Sequence, residues 1–296
     1  MLFDTSLLQT TDLKAIPEDY RSSREINSFI EPFRIYDHFV TNNVEIIILS
    51  HFVYNNEHSR EILAQHNFKI KHGSYVPEHN FIAYRATTEP NSYKKHHGAV
   101  MCVMACDLNS ATQIKSFCEY YFSEGIEKIF IFYTQPGNLV SRNDLPKNEN
   151  IIYNEWDYSF YQRYNNTRYH NCQTHLYAMF LNKISPFCEW TFFCDLDERI
   201  IVKNSSLKDY LNTQNKHVFT THTSIPRVKV PLTRNEMLTI DYDINTPRRG
   251  KSVVKGNLLK ELPQNAGVHY VVKDMGIPYS MEPDEKLIML HGFVEI

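Results

Sequence analysis

Glycine is scarce in this chain, with 9 residues among 296. Phosphate-cradling loops need several glycines in close order, and neither a Walker-type loop nor a G-x-G-x-x-G fingerprint occurs. The six cysteines (Cys102, Cys106, Cys118, Cys172, Cys188, Cys194) form no Cys-x-x-Cys pair, which argues against a zinc ribbon or a dithiol redox motif. Several lie in apolar contexts, where a free thiol behaves as a small hydrophobe, so reduced cysteines in a cytosolic-type compartment are expected. No apolar run approaches the roughly 18 residues of a membrane span. Met1-Leu2-Phe3-Asp4-Thr5 has neither a basic n-region nor an apolar h-region. These absences lead us to expect a soluble, cytoplasmic protein with no integral membrane segment. A net charge of −3 and the lack of a basic stripe give no sign of nucleic acid as a partner. Asn165-Asn166-Thr167 and Asn204-Ser205-Ser206 match the glycosylation pattern, which matters only for a secreted chain.

Aromatics are abundant, with 18 Phe and 19 Tyr, and they cluster in the most informative stretch, Trp190-Thr191-Phe192-Phe193-Cys194-Asp195-Leu196-Asp197-Glu198. A short apolar run is what a strand buried on both faces looks like. It cannot turn acidic inside the core, so the carboxylates belong where the strand emerges, the end at which open α/β sheets bind ligands. Strand alternation points Asp195 and Asp197 the same way if the strand continues that far. Two carboxylates that close repel unless a cation sits between them or one takes a proton. An all-oxygen pair suits Mg²⁺ or Mn²⁺. The competing reading is a solvated acidic turn that closes a strand.

Residues 44–49 predict a β-branched strand, 56–65 a short helix and 68–70 another strand, one α/β unit in an N-terminal extension assigned to residues 1–95. Residues 87–98 read as a polar connector, with His96 and His97 as solvated loop histidines. A second domain is assigned to residues 96–296. It opens with a buried strand over 99–106 that ends at Asp107 and Asn109. A helix over 110–124 follows, with Ile114, Phe117, Cys118 and Tyr121 on one face and Gly125 as its stop. Strands over 129–133 and 151–153 and a helix over 167–183 lead into the Trp190 strand. Strands separated by single helices predict an α/β fold with a parallel, doubly wound sheet. Beyond the acidic turn come a short helix over 206–212, strands at 218–220 and 228–230, the basic cluster Arg248-Arg249-Gly250-Lys251-Ser252, and a strand over 267–272 that carries His269.

Taken in order, the pieces are Asn109-Ser110, Ser116-Phe117, Tyr120-Tyr121, Gly125-Ile126, the aromatic strand Phe130-Ile131-Phe132-Tyr133, Asn171-Cys172, Trp190 through Glu198, Lys251 through Lys255, and Gly267-Val268-His269. This order resembles glycosyltransferase family 92 and its family-2-like relatives, over residues 99–291. Four departures stand out. Ser110 and Ser116 stand where the family has glutamates, Tyr121 where it has a histidine, and Arg199 where it usually has phenylalanine. Tyr133-Thr134-Gln135 also lacks an expected Asp-Asn.

The resemblance implies a GT-A fold, a Rossmann-like, mostly parallel sheet flanked by helices, here with the N-terminal α/β extension. It implies inverting transfer of a hexosyl or deoxyhexosyl group from a nucleotide sugar, expected to be UDP-linked, to a glycan, glycoprotein or glycolipid acceptor, with Mn²⁺ or Mg²⁺ as cofactor. Asp195 would meet the donor ribose or a metal-bound water, and Asp197 would coordinate the metal. Glu198 would orient its neighbours or cap the following turn. His269 or His291 would be a third metal ligand. Lys251, with Arg248 or Arg249, would hold the diphosphate. Asp107 and Asn109 would meet the nucleobase or ribose, though Asn109 also suits a helix N-cap. Inversion needs a carboxylate to take the acceptor proton. Asp241 and Asp243 are the candidates, with Glu236, Asp274 and Glu282 left open. Eukaryotic relatives are often membrane-anchored, so an anchorless chain suggests a microbial or viral enzyme or an excised catalytic domain. Two alternatives stay open: a non-catalytic nucleotide- or glycan-binding module, and a haloacid-dehalogenase-type phosphatase with Asp195 as nucleophile. The phosphatase pattern wants Thr or Val where Arg199 stands.

Overall fold

The computed structural model describes residues 1–8, 35–50, 57–72, 81–105, 111–133, 144–156, 162–164, 167–169, 171–202, 204–214, 218–224, 251–256, 263–264 and 284–291. In chain order the elements begin with β1 (Ile35–Thr41), β2 (Val44–Leu49), α1 (Glu57–Gln65), β3 (Lys69–His72) and β4 (Phe81–Ala86). Next come β5 (His97–Ala105), α2 (Ala111–Ser123), β6 (Lys128–Tyr133), β7 (Ile151–Glu155), β8 (Gln162–Tyr164), β9 (Thr167–Tyr169) and α3 (Asn171–Lys183). The chain continues with β10 (Cys188–Asp195), β11 (Glu198–Val202), α4 (Leu207–Asn212), β12 (Val218–Ser224), β13 (Ser252–Val254) and β14 (Asp284–His291). They group into two compact units. One comprises residues 1–95, 158–187 and 259–275, the other residues 96–157, 188–258 and 276–296.

In the first unit the strands run β1-β2-β4-β3, every pair antiparallel. Asn42 and Asn43, with φ of 47° and 61°, close the β1–β2 hairpin in the primed-turn geometry that asparagine tolerates. The expected strand, helix and strand are present, but they do not form a parallel crossover, because β4 lies between β2 and β3. Ile47, Leu49, Leu63, Phe68, Phe81 and Ala83 make the core with Phe3 and Leu8. Helix α3 belongs to this unit: His175 stacks on Tyr36 at 3.8 Å and its Nε2 lies 3.2 Å from the Leu49 carbonyl oxygen. It starts at Asn171, not 167, since Thr167–Tyr169 pairs with β8 in a short hairpin. Asn165-Asn166 between those strands is itself a turn-favouring pair.

The second unit is built on an eight-stranded sheet, β11-β14-β12-β13-β10-β5-β6-β7. Four of its seven pairings are parallel (β10–β5, β5–β6, β6–β7, β12–β14), giving the mostly parallel, helix-flanked α/β sheet that a GT-A-like fold requires. Residues 100–105 of β5 are all buried, as the unbroken apolar run requires for a strand with both faces covered. The strand begins two residues before the apolar run, at His97, which is buried against Glu127 and is not a solvated loop residue. Helix α2 buries Ile114, Phe117, Cys118 and Tyr121 against this sheet. Gly125 ends the helix at φ 90°, where a Cβ would come within 2.6 Å of Lys208 Cβ, so only glycine fits.

Candidate functional site

From β5 the chain moves to β6 and then β7 on one side, whereas β10 lies on the other side of β5. That reversal is a topological switch point, and open α/β sheets bind ligands at the carboxyl ends of the strands there. Asp195, the last residue of β10, sits in this place, paired with Met104 near the end of β5. Its parallel neighbour β5 runs towards Asp107 and Asn109, which lie outside the described residues.

The strand does not continue through the acidic run. Leu196 and Asp197 form a turn and β11 starts at Glu198, so turn geometry, not strand alternation, orients the two aspartates. Both Asp195 and Asp197 remain partly exposed. Glu198 turns inward and its Oε2 accepts the Asp195 backbone N–H at 2.7 Å, a contact that ties the two ends of the turn together. Lys251 comes from the residue before β13, whose antiparallel pairing with β10 (Phe192 opposite Val253) carries it alongside the strand end. Its Nζ lies 2.7 Å from Asp195 Oδ2 and 3.9 Å from Glu198 Oε2. The lysine side chain is only 1% exposed and Glu198 3%, against 31% for Asp195. Burial pushes the Glu198 carboxyl up to about 8, Asp195 and Asp197 add to the rise, and Lys251 and the Asp195 N–H oppose it. Burial thus favours the neutral form of Glu198.

Behind the turn stand two residues noted above as departures from the family pattern. The buried Arg199 donates from Nη1 to the carbonyls of Leu196 (2.9 Å) and Glu198 (3.0 Å), with its guanidinium 4.9 Å from the Phe117 ring centroid. The hydroxyl of Tyr121 donates to the Glu198 carbonyl at 3.2 Å, accepts from the Ile200 N–H at 3.0 Å and contacts Cys194 Sγ at 3.3 Å. No local sequence signal tells of this. A Tyr on the apolar face of a helix and an Arg in an apolar strand stand out individually, but their meeting is a long-range event.

The structure thus brings together Asp195, Asp197, Glu198 and Lys251. Asp241, Asp243, His269, Arg248 and Arg249 lie outside the described residues, as do Glu236, Asp274 and Glu282. The backbone of His291 pairs with Glu198 across β14 and β11. Among the described residues no group of three or more His, Cys, Asp and Glu side chains is placed to hold a metal ion. Asp195 and Asp197 nevertheless fit Mg²⁺ or Mn²⁺ in kind. They are hard oxygen donors with access to solvent, and such ions are held by one or two carboxylates while waters and substrate phosphates complete the shell.

Comparison with known proteins matches residues 97–262, more than half of the chain, to the family model described as Glycosyltransferase family 92. No curated protein matches. Among solved structures, 4-diphosphocytidyl-2C-methyl-D-erythritolsynthase from Anaerococcus prevotii DSM 20548 overlaps 56% of this chain and 72% of its own, at 13% identity and a TM-score of 0.30, too low to carry an argument.

Proposed function

The chain belongs to glycosyltransferase family 92, and on that premise we propose that it moves a hexosyl or deoxyhexosyl group from a UDP-linked sugar to a glycan, glycoprotein or glycolipid acceptor, with inversion. The observation that carries the donor-site assignment is the place of Asp195 and Asp197, at the carboxyl end of β10 where the strand order reverses.

Asp195 and Asp197 would hold Mn²⁺ or Mg²⁺, with His269 or His291 as the third protein ligand. Once bound, the ion supplies Lewis-acid neutralisation of the charge on the departing diphosphate. Glu198, buried and hydrogen-bonded to the Asp195 amide, keeps the turn in one shape, so the carboxylates meet the donor without rearrangement. Asp107 and Asn109, next along the chain from β5, would meet the ribose or nucleobase. Asp241 or Asp243 would take the proton of the acceptor hydroxyl as it attacks the anomeric carbon from the face opposite the nucleotide. No helix among the described residues is long and apolar enough to cross a membrane. We take the enzyme to act in the cytoplasm.

Calorimetric titration of UDP, GDP and dTDP, with and without Mn²⁺, tests the assignment on wild type and Asp197→Asn. Mn²⁺-dependent uptake of UDP that disappears in the variant is expected. Binding that ignores both the ion and the substitution would remove the acidic turn from the donor site. Binding without sugar transfer to any acceptor would favour a non-catalytic module.

A further inference from the structure

A lysine ammonium buried to 1% exposure and set 2.7 Å from the first aspartate of the acidic turn is an unusual neighbour for a site that would take a cation. Desolvating an ammonium is costly, and it persists only where a carboxylate compensates. Here the compensating group is Asp195, one of the two carboxylates offered to the ion. Lys251 also approaches the buried Glu198, whose Oε2 is bound by the Asp195 N–H. The lysine therefore ties strand β13 to both ends of the Asp195–Glu198 turn and fixes the direction of the Asp195 carboxylate.

We propose that Lys251 is a positioning residue and resident counter-cation of the acidic turn: it holds Asp195 through Oδ2 and keeps the site's affinity for a free divalent ion low until a diphosphate arrives. This role rests on the donor-site reading above and differs from direct clamping of the diphosphate. The physical argument is competition. With Lys251 in place, an incoming divalent ion meets a positive charge already seated on one of its two ligands. A diphosphate adds negative charge and oxygen ligands of its own, so ion and nucleotide enter together and the ion does not bind first. A unit charge this near a carboxylate changes that group's affinity for a proton by roughly ten- to a thousand-fold, and a divalent ion feels the same charge at least as strongly.

The probe is Mn²⁺ alone, followed by electron paramagnetic resonance, on wild type, Lys251→Met, Lys251→Gln and Lys251→Arg, with circular dichroism as the check on folding. Methionine fills much the same volume without charge; removing one partner of a buried pair is destabilising, but Asp195, at 31% exposure, can take water in place of the ammonium. We expect Lys251→Met and Lys251→Gln to bind Mn²⁺ roughly tenfold or more tightly than wild type, and Lys251→Arg to stay near wild type. A merely structural lysine predicts the opposite sign, because a loosened turn binds metal less well. Equal or weaker Mn²⁺ binding in the uncharged variants overturns the proposal, and so does absence of Mn²⁺ binding from every form. The parallel UDP titration keeps the two questions apart. If wild type takes up UDP with Mn²⁺ and Asp197→Asn does not, the donor-site reading stands whatever the lysine variants do.

Discussion

Burying Glu198 beside Asp195 and Asp197 makes its ionisation costly, and Lys251, 3.9 Å away, offsets only part of that cost. The consequence for stability has a definite sign. With a folded value of about 8 against an ordinary 4.5, the folded state holds a proton that the unfolded state has released across this interval. Stability from this group is fully present below pH 4.5 and is lost as pH rises towards 8. The slope is at most on the order of 1 kcal/mol per pH unit. Glu198→Gln keeps an oxygen for the Asp195 N–H but cannot ionise, so its stability should not fall in this interval on this account. Urea unfolding of both proteins in metal-free buffer between pH 5 and 8 reads the difference directly. Parallel pH profiles would mean that Glu198 is ionised in the fold. Asp195 and Asp197 differ from Glu198 in reaching solvent, which is why only the third carboxyl of the run has an inward, orienting role.

One level up, β11 is the terminal strand of its sheet among the described residues, and a terminal strand presents backbone groups that no neighbouring strand pairs. Helix α2 covers the central one: Tyr121 accepts from the Ile200 N–H at 3.0 Å and Tyr120 donates to the Ile200 carbonyl at 2.7 Å. Two consecutive helix residues thereby serve as the strand's missing neighbour. Tyr121→Phe leaves a buried N–H without that acceptor and should cost about 1–3 kcal/mol, whereas Tyr120→Phe, which loses one bond at a carbonyl, should cost about 1 kcal/mol. Equal denaturant midpoints for wild type and Tyr121→Phe would show that water or a shifted backbone satisfies Ile200.

The parts of this unit that could be read from sequence are those whose signal is local. The apolar runs gave away β5, β6 and β10, the helical spacing of Ile114, Phe117, Cys118 and Tyr121 gave away α2, and Gly125 gave away its end. The acidic run correctly marked a strand end, because charge cannot stay in a core. What escaped depends on partners far along the chain. Lys251 looked like a member of an Arg-Arg-Gly-Lys cluster free to meet phosphate, and it is buried because residues 252–254 add a strand beside β10. Asp195 and Asp197 would have alternated together only if the strand ran on through them, but a two-residue break precedes β11, and Arg199 holds that break from within. The N-terminal strand, helix and strand gave no clue that β4 would insert between β2 and β3, since register is set by pairing and not by order.

Across the whole molecule, Glu45 in the first unit carries the opposite electrostatic liability to Glu198 in the second. In the first, Glu45 is buried but satisfied: it accepts from the Phe3 N–H at 2.6 Å and from Arg85 Nε at 2.7 Å, and lies 2.8 Å from His38 Nε2. Burial alone would raise its carboxyl, yet the Phe3 N–H, Arg85 and His38 together pull it below the ordinary value. The sign is therefore the reverse of that for Glu198. Stability from Glu45 is present above the unfolded value and is lost as pH falls through the depressed folded value. Because Phe3 is one of the donors, that loss also weakens one tie of the N-terminal segment to the core that Phe3 shares with Leu8, Leu63 and Phe68. Acid should thus weaken the first unit through Glu45 and the second through Glu127, whose carboxyl burial would raise but the Gly98 N–H and His97 hold below the ordinary value, while alkali weakens the second through Glu198. Calorimetric scans over pH 3 to 9 should show a bell-shaped profile. Glu45→Gln should lose roughly 1–3 kcal/mol at neutral pH and make the acid limb shallower, leaving to Glu127 what remains of it and the alkaline limb as in wild type. If Glu45→Gln changes both limbs or neither, Glu45 and Glu198 do not act as separate determinants of stability.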